Sequence, residues 1–91
     1  NDVEGWRRLA HSLDVLGDAA GSAQAYDKAL VLEPDHPETL LRGARTAAKN
    51  GNNALARTRF VRLRKLVPPD SDVHRMVSEA ISRIDQAGGP R

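Results

Sequence analysis

The side chains best suited to catalysis or metal binding are few and scattered. His11, His36 and His74 stand far apart, and none has a second ligand three or four residues along its own helix, the spacing that would put both on one face. Ser12, Ser22, Ser71, Ser78 and Ser82 lie in no nucleophile-elbow context, and no glycine-rich phosphate loop follows a strand. The absence of cysteine removes disulfides, thiolate metal sites and cysteine nucleophiles together and leaves the redox compartment open. Trp6 and Tyr26 could stack on a haem or another ligand, but both recur at repeat positions that build a core. The expectation is a protein that is not an enzyme, with no catalytic residue, no cofactor and no metal.

Charge is the more informative chemistry. Residues 1–36 carry 3 Lys and Arg against 7 Asp and Glu, whereas residues 37–69 carry 8 against 1, so a formal net charge of only +2 conceals an acidic third followed by a basic block. Such a field can steer an acidic partner. The densest cations, Arg57, Arg59, Arg62, Arg64 and Lys65, suggest phosphate neutralisation. The one aromatic among them, Phe60, belongs to the apolar stripe of the same helix, and no base-stacking platform is left. Arg57, Arg62, Arg64 and Lys65 therefore read as a secondary basic surface, a solvated face or a dock for an acidic protein or membrane surface, and no nucleic-acid partner is expected.

With 91 residues, 40% apolar and 29% charged, the chain has the composition of one folded domain, residues 1–91. No apolar run approaches the roughly 18 residues of a membrane span, so no direct membrane contact is expected of this stretch. It opens on Asn1 rather than Met, and the expectation is a piece of a longer product whose targeting or anchoring segments lie outside it.

The elements that must position these side chains emerge when the sequence is slid against itself by 34 residues. Trp6 then falls on Leu40, Leu9 on Gly43, Ala10 on Ala44, Leu13 on Ala47, Gly17 on Gly51, Ser22 on Ala56, Tyr26 on Phe60, Ala29 on Leu63 and Pro34 on Pro68. Each unit reads as two helices. Trp6, Leu9, Ala10, Leu13 and Leu16 mark an apolar face on the first helix, Gly17 stops it and Asp18 caps the next. Ala23, Tyr26, Ala29 and Leu30 line the inner side of the second helix, which Pro34 ends. In the second unit Pro37 and Glu38 open a helix, Asn50, Gly51 and Asn52 turn the chain, and Ala56, Phe60, Leu63 and Val67 form a buried stripe before Pro68 and Pro69. From Ser71 to Ala87 a fifth helix is predicted. Val73, Val77, Ala80, Ile81 and Ile84 are on its apolar side, His74, Arg75, Ser78, Glu79, Ser82, Arg83 and Asp85 face water, and Asp70, Ser71 and Asp72 are available as caps. Gly88, Gly89 and Pro90 end it.

These residues resemble the tetratricopeptide repeat, which wants a large residue at its fourth position, small ones at the eighth and twentieth, an aromatic at the twenty-fourth and proline at the thirty-second. Trp6, Ala10, Ser22, Tyr26 and Pro34 occupy those places in the first unit, and Leu40, Ala44, Ala56, Phe60 and Pro68 in the second. Ser22 and Leu40 depart from the usual alanine and aromatic. The resemblance implies an all-α fold: two helical hairpins, about 3–36 and 37–70, and a capping helix, about 71–87, as a fragment of a right-handed solenoid. It also implies a peptide-binding groove on the first helices, at Glu4, Arg7, His11 and Asp14 and at Glu38, Leu41, Arg45 and Ala48, with Lys49 alongside. These positions lie off the Trp6, Leu9 and Leu13 face, so periodicity agrees. Arg7, His11 and Arg45 would meet acidic groups and Leu41 an apolar one. His11 stands where the carboxylate clamp of chaperone-binding members wants asparagine, so an acidic chaperone tail is not the expected ligand.

A narrower resemblance runs from Asp2 to Ala10 (DVEGWRRLA) and from Leu66 to Asp72 (LVPPDSD), which are similar to the periplasmic repeat domain of the CcmI/CycH family of c-type cytochrome maturation subunits. That family implies a periplasmic adaptor or holdase for the C-terminal segment of apocytochrome c, in contact with other maturation subunits. Its members carry further repeats and an N-terminal membrane anchor, and neither is present here. The alternative expectation is a scaffold module of another assembly, periplasmic or cytoplasmic, that binds a folded acidic partner through the groove or through the basic helix 53–67. Because about three repeats are usually needed for a stable stack, self-association or contact with further repeats is expected through the face near Val3 and the first hairpin.

Overall fold

A computed structural model describes residues 3–87 as five helices: α1 (Val3–Val15), α2 (Ala19–Leu32), α3 (Pro37–Lys49), α4 (Asn53–Leu66) and α5 (Asp72–Ala87). The fold is all-α, with no strand among the described residues. Asn1, Asp2 and the Gly88, Gly89, Pro90 terminator lie outside that range.

The turns are built the same way twice. After α1 the amide of Gly17 donates to Asp14 and that of Asp18 to Leu13, at 3.1 and 2.8 Å. After α3 the amides of Gly51 and Asn52 donate to Ala48 and Ala47, at 3.0 and 2.9 Å. Both are Schellman closures, which need a left-handed residue, and the two glycines have φ of +86° and +78°. A Cβ would meet nothing within 4 Å at either glycine, so backbone strain alone resists substitution. Gly17→Ala and Gly51→Ala are each expected to lower stability by about 1 kcal/mol without altering the folded helix content, a result readable by urea denaturation.

Helix starts are equally explicit. Asp18 Oδ1 accepts from the Gly21 amide at 2.9 Å, Asn52 Oδ1 from Leu55 at 3.2 Å, and Ser71 Oγ from His74 at 3.1 Å. Of the three predicted caps for α5, Ser71 makes the bond. For α3 the cap is His36, whose Nδ1 accepts from the Thr39 amide at 3.2 Å, a role its sequence context did not suggest.

Small residues set how closely the helices approach. Ala10 and Ser22 are both fully buried between α1 and α2, and the Ser22 hydroxyl donates to the Ala10 carbonyl at 2.8 Å, which satisfies the one polar group that departs from the repeat pattern. Ala44 and Ala56, also fully buried, make the equivalent approach between α3 and α4. The larger core cluster joins Leu40, Ala47, Phe60 and Leu63 to Val77 and Ile81 of α5, whereas Ala10, Ala25 and Tyr26, with Trp6 against them, form a smaller one.

Three residues expected on apolar inner faces are exposed: Leu9 to 45%, Leu16, beyond the end of α1, to 79%, and Val73 to 38%. The repeat explains the first. Shifted by 34 residues, Gly5, Leu9 and Ser12 correspond to Thr39, Gly43 and Thr46, which are buried on the face of α3 packed against Tyr26 and Leu30 of α2. On α1 no helix among the described residues occupies that side, so Leu9 is correctly placed for a stack but lacks its neighbour.

Candidate functional site

The residues expected to form a groove, Asp14 excepted, fall into two depressions. The first, about 230 Å³, is lined by Glu4, Arg7, His11 and Glu38 together with Arg8, Tyr26, Thr39 and Arg42. Its charges are largely satisfied from within. Arg7 reaches Glu33 at 3.2 Å and Glu4 at 3.7 Å, while Arg42 pairs with Glu38 at 3.2 Å and lies 3.3 Å from His11 Nδ1. Burial pushes the Tyr26 phenol up, and the Arg42 guanidinium beside it opposes that shift. Arg42, absent from the sequence-based site, is the residue that ties α3 to α1 here.

The second depression, about 530 Å³, opens between α3 and α5. Leu41, Ala48, Phe60, Met76, Ala80 and Ile84 give it an apolar lining, and Arg45, Lys49 and Arg83 supply cations. Lys49 is held by Asp14 at 3.3 Å, a bond that also joins α1 to α3. Arg45 donates to Met76 Sδ at 3.6 Å. Met76 and Arg83 were missed because α5 was read as a cap with a solvated outer face. The signal was present: in the 34-residue register Val77 and Ile81 follow Gly43 and Ala47, which makes α5 the counterpart of α1 and α3.

The basic helix is corrected most. Arg59 is only 9% exposed; it donates to the Gly43 carbonyl at 3.2 Å and pairs with Asp27 of α2. Arg57 holds Asp85 of α5 through two bonds, at 2.6 and 3.3 Å, and Arg62 reaches Asp35 at 2.5 Å. Arg64 and Lys65 are the cations of the predicted surface that make no such pair among the described residues. The acidic third and the basic block therefore neutralise each other in part: Asp14, Asp27 and Asp35 pair with Lys49, Arg59 and Arg62.

Asp85 provides a direct check. The hydrogen bond from Arg57 holds its carboxyl below the usual carboxylate range. A carboxyl depressed in the fold stabilises above its unfolded pKa, and that contribution disappears as pH falls through the folded value. In Arg57→Gln, carbon-detected NMR titration should find the Asp85 midpoint moved up toward the ordinary aspartate value.

A family model described as tetratricopeptide repeat matches residues 16–80, well over half of the chain. The chain belongs to the tetratricopeptide repeat family. No curated protein and no solved structure matches it. Tetratricopeptide repeats are protein-interaction modules, and stacked repeats use the surface shared by the first helix of each unit. In this member the first helices are α1 and α3, with α5 in the corresponding place of the register, and the apolar depression lies between α3 and α5. Among the described residues no helix is long and apolar enough to cross a membrane, and no group of three His, Cys, Asp or Glu side chains is placed to hold a metal ion.

Proposed function

We propose that this tetratricopeptide repeat protein acts without catalysis, by holding a segment of another protein along the surface of α1, α3 and α5. The observation that carries the reading is the apolar depression between α3 and α5, where Leu41 and Met76 contribute to the lining and Arg45 lies at hand for a polar contact. Concave, mostly apolar sites with a few polar groups are the usual seat of a ligand, and a peptide or helix suits an open one.

The finer form of the proposal is a periplasmic adaptor that holds the C-terminal segment of apocytochrome c for maturation. It is supported by the DVEGWRRLA and LVPPDSD stretches. Titrating a peptide of that segment into the chain by calorimetry tests it: saturable binding that weakens at least tenfold in Leu41→Ser is expected, and heats no larger than those of a scrambled peptide would reject it. A second reading, a scaffold docking a folded acidic partner on α4, is favoured by the unpaired Arg64 and Lys65. Reversing both to glutamate abolishes assembly under that reading and leaves groove binding intact under the first.

The uncovered α1 face extends the proposal to assembly. Leu9 and Leu16 take a further hairpin or a second copy, so sedimentation is expected to depend on concentration and to become that of a monomer when both are changed to glutamate.

A further inference from the structure

Two of the three cations that line the α3–α5 depression are left without a carboxylate, as are Arg8, Lys28, Arg64 and Lys65 elsewhere among the described residues, but only these two adjoin an apolar cavity. Arg7, Arg42, Lys49, Arg57, Arg59 and Arg62 each have a carboxylate partner within the chain. Arg45 and Arg83 do not: among the described residues neither has a carboxylate within ion-pair distance, although Glu79 lies one helical turn before Arg83. Arg45 instead donates to the Met76 thioether, a weak acceptor that a carboxylate oxygen outcompetes. Both guanidiniums line the same apolar cavity, one from α3 and the other from α5.

Resting on the protein-binding reading, we infer that the α3–α5 depression takes an acidic amphipathic segment: a large apolar side chain enters between Leu41, Met76 and Ile84, and side-chain carboxylates beside it pair with Arg45 and Arg83. Two cations on different helices can engage two side-chain carboxylates at once, which a single chain terminus does not supply. An apolar wall beside the pairs lowers the local dielectric, so the charges discriminate more strongly here than on an open helix face. On binding, Arg45 exchanges a thioether for a carboxylate, and the Met76 methyl group changes its surroundings.

Met76 is the single methionine of the chain, which makes it a reporter inside the site. The test titrates methyl-labelled protein with a short, C-terminally amidated helical peptide that carries leucines on one face and glutamates three and four residues from them. The expected result is a saturable shift of the Met76 methyl resonance. Affinity should fall about tenfold when the glutamates become glutamines, and about tenfold in Arg83→Gln, the loss of one charge-assisted contact, whereas Lys28→Gln on α2 leaves it unchanged. Equal binding of the glutamate and glutamine peptides overturns the inference, as does binding that requires a free terminal carboxylate. A peptide that perturbs His11 and Trp6 but not Met76 overturns it while leaving the protein-binding reading standing. Failure of the acidic peptide and of a neutral apolar counterpart to bind at all counts against both.

Discussion

Leucine at position 43 is expected to destabilise the domain by about 3 kcal/mol or more, although leucine is the residue that the first unit carries at the equivalent place. A Cβ on Gly43 would already lie 3.2 Å from Arg59 Nη1, 3.2 Å from Leu30 Cδ1 and 3.6 Å from Tyr26 Cβ, so the position is a junction of α2, α3 and α4. The further atoms of a leucine must push one of these helices away, and the gain in helix propensity, about 1 kcal/mol, does not offset that. Gly43→Ala should stay within about 1 kcal/mol of the parent, because the two closest atoms are the ends of long side chains that can yield by a few tenths of an ångström and propensity favours alanine. At the equivalent position in α1, Leu9→Ala should cost about 1 kcal/mol or less, because Leu9 is 45% exposed. Urea denaturation of the three variants checks this ordering; a Gly43→Leu protein as stable as the parent would mean that α2 and α3 are not in close contact.

Arg59→Ala is expected to cost about 3 kcal/mol, while Arg57→Ala and Arg62→Ala each cost far less, because solvent screens their pairs. All three arginines belong to one cationic stretch and all three pair with aspartates from other parts of the chain. They differ in burial: the side chains of Arg57 and Arg62 are 48% and 51% exposed, that of Arg59 11%. Removing Arg59 takes from the Gly43 carbonyl its side-chain donor, which adds to the bond inside the helix, and opens a gap beside a close helix junction. Asp27, half exposed, can regain water, which holds the expected loss at the lower end of what breaking a buried pair costs. Arg59→Lys should recover little of it, since an ammonium lacks the planar fork that serves the carbonyl and the carboxylate together. Equal losses at the three positions in urea denaturation would restore the picture of α4 as a solvated basic face.

These two positions also mark where the sequence stopped being readable. The 34-residue period, the two left-handed glycines, the Asp18 and Asn52 caps and the proline at the start of α3 are local signals, and each specifies its element with little help from the rest of the chain. Arg59 is different. Nothing in its neighbours along the chain separates it from Arg57 or Arg62, because its burial depends on a carboxylate 32 residues away and a carbonyl 16 residues away. Likewise, periodicity showed that Leu9 and Leu16 share an apolar edge of α1 but not whether a helix would be there to cover it. The site was half legible for the same reason. Leu41 and Arg45 could be named from their helical phase, whereas Met76 and Arg83 required α5 to be seen as a third first helix, a role obscured by its polar composition.

The charge pattern changes meaning once the pairs are known. An acidic third and a basic block invite a long-range steering field, but three pairs between them act at short range: Lys49 with Asp14 binds α3 to α1, Arg59 with Asp27 binds α4 to α2, and Arg62 with Asp35 binds α4 to the turn after α2. Among the described residues Arg8, Lys28, Arg45, Arg64, Lys65 and Arg83 have no carboxylate partner, and two of these cations line the apolar depression. Specificity is therefore expected from a small site and not from a diffuse basic surface.

The most direct measurement of the central claim is an unbiased selection: a displayed library of random peptides panned on the folded chain, with the enriched peptides measured afterwards against variants in parallel. The account predicts an enriched family whose affinity falls at least tenfold in Leu41→Ser and in Arg45→Gln and is unchanged when Arg64 and Lys65 are reversed to glutamate. Peptides that bind undiminished to both groove variants, or that depend on Arg64 and Lys65 instead, would contradict it.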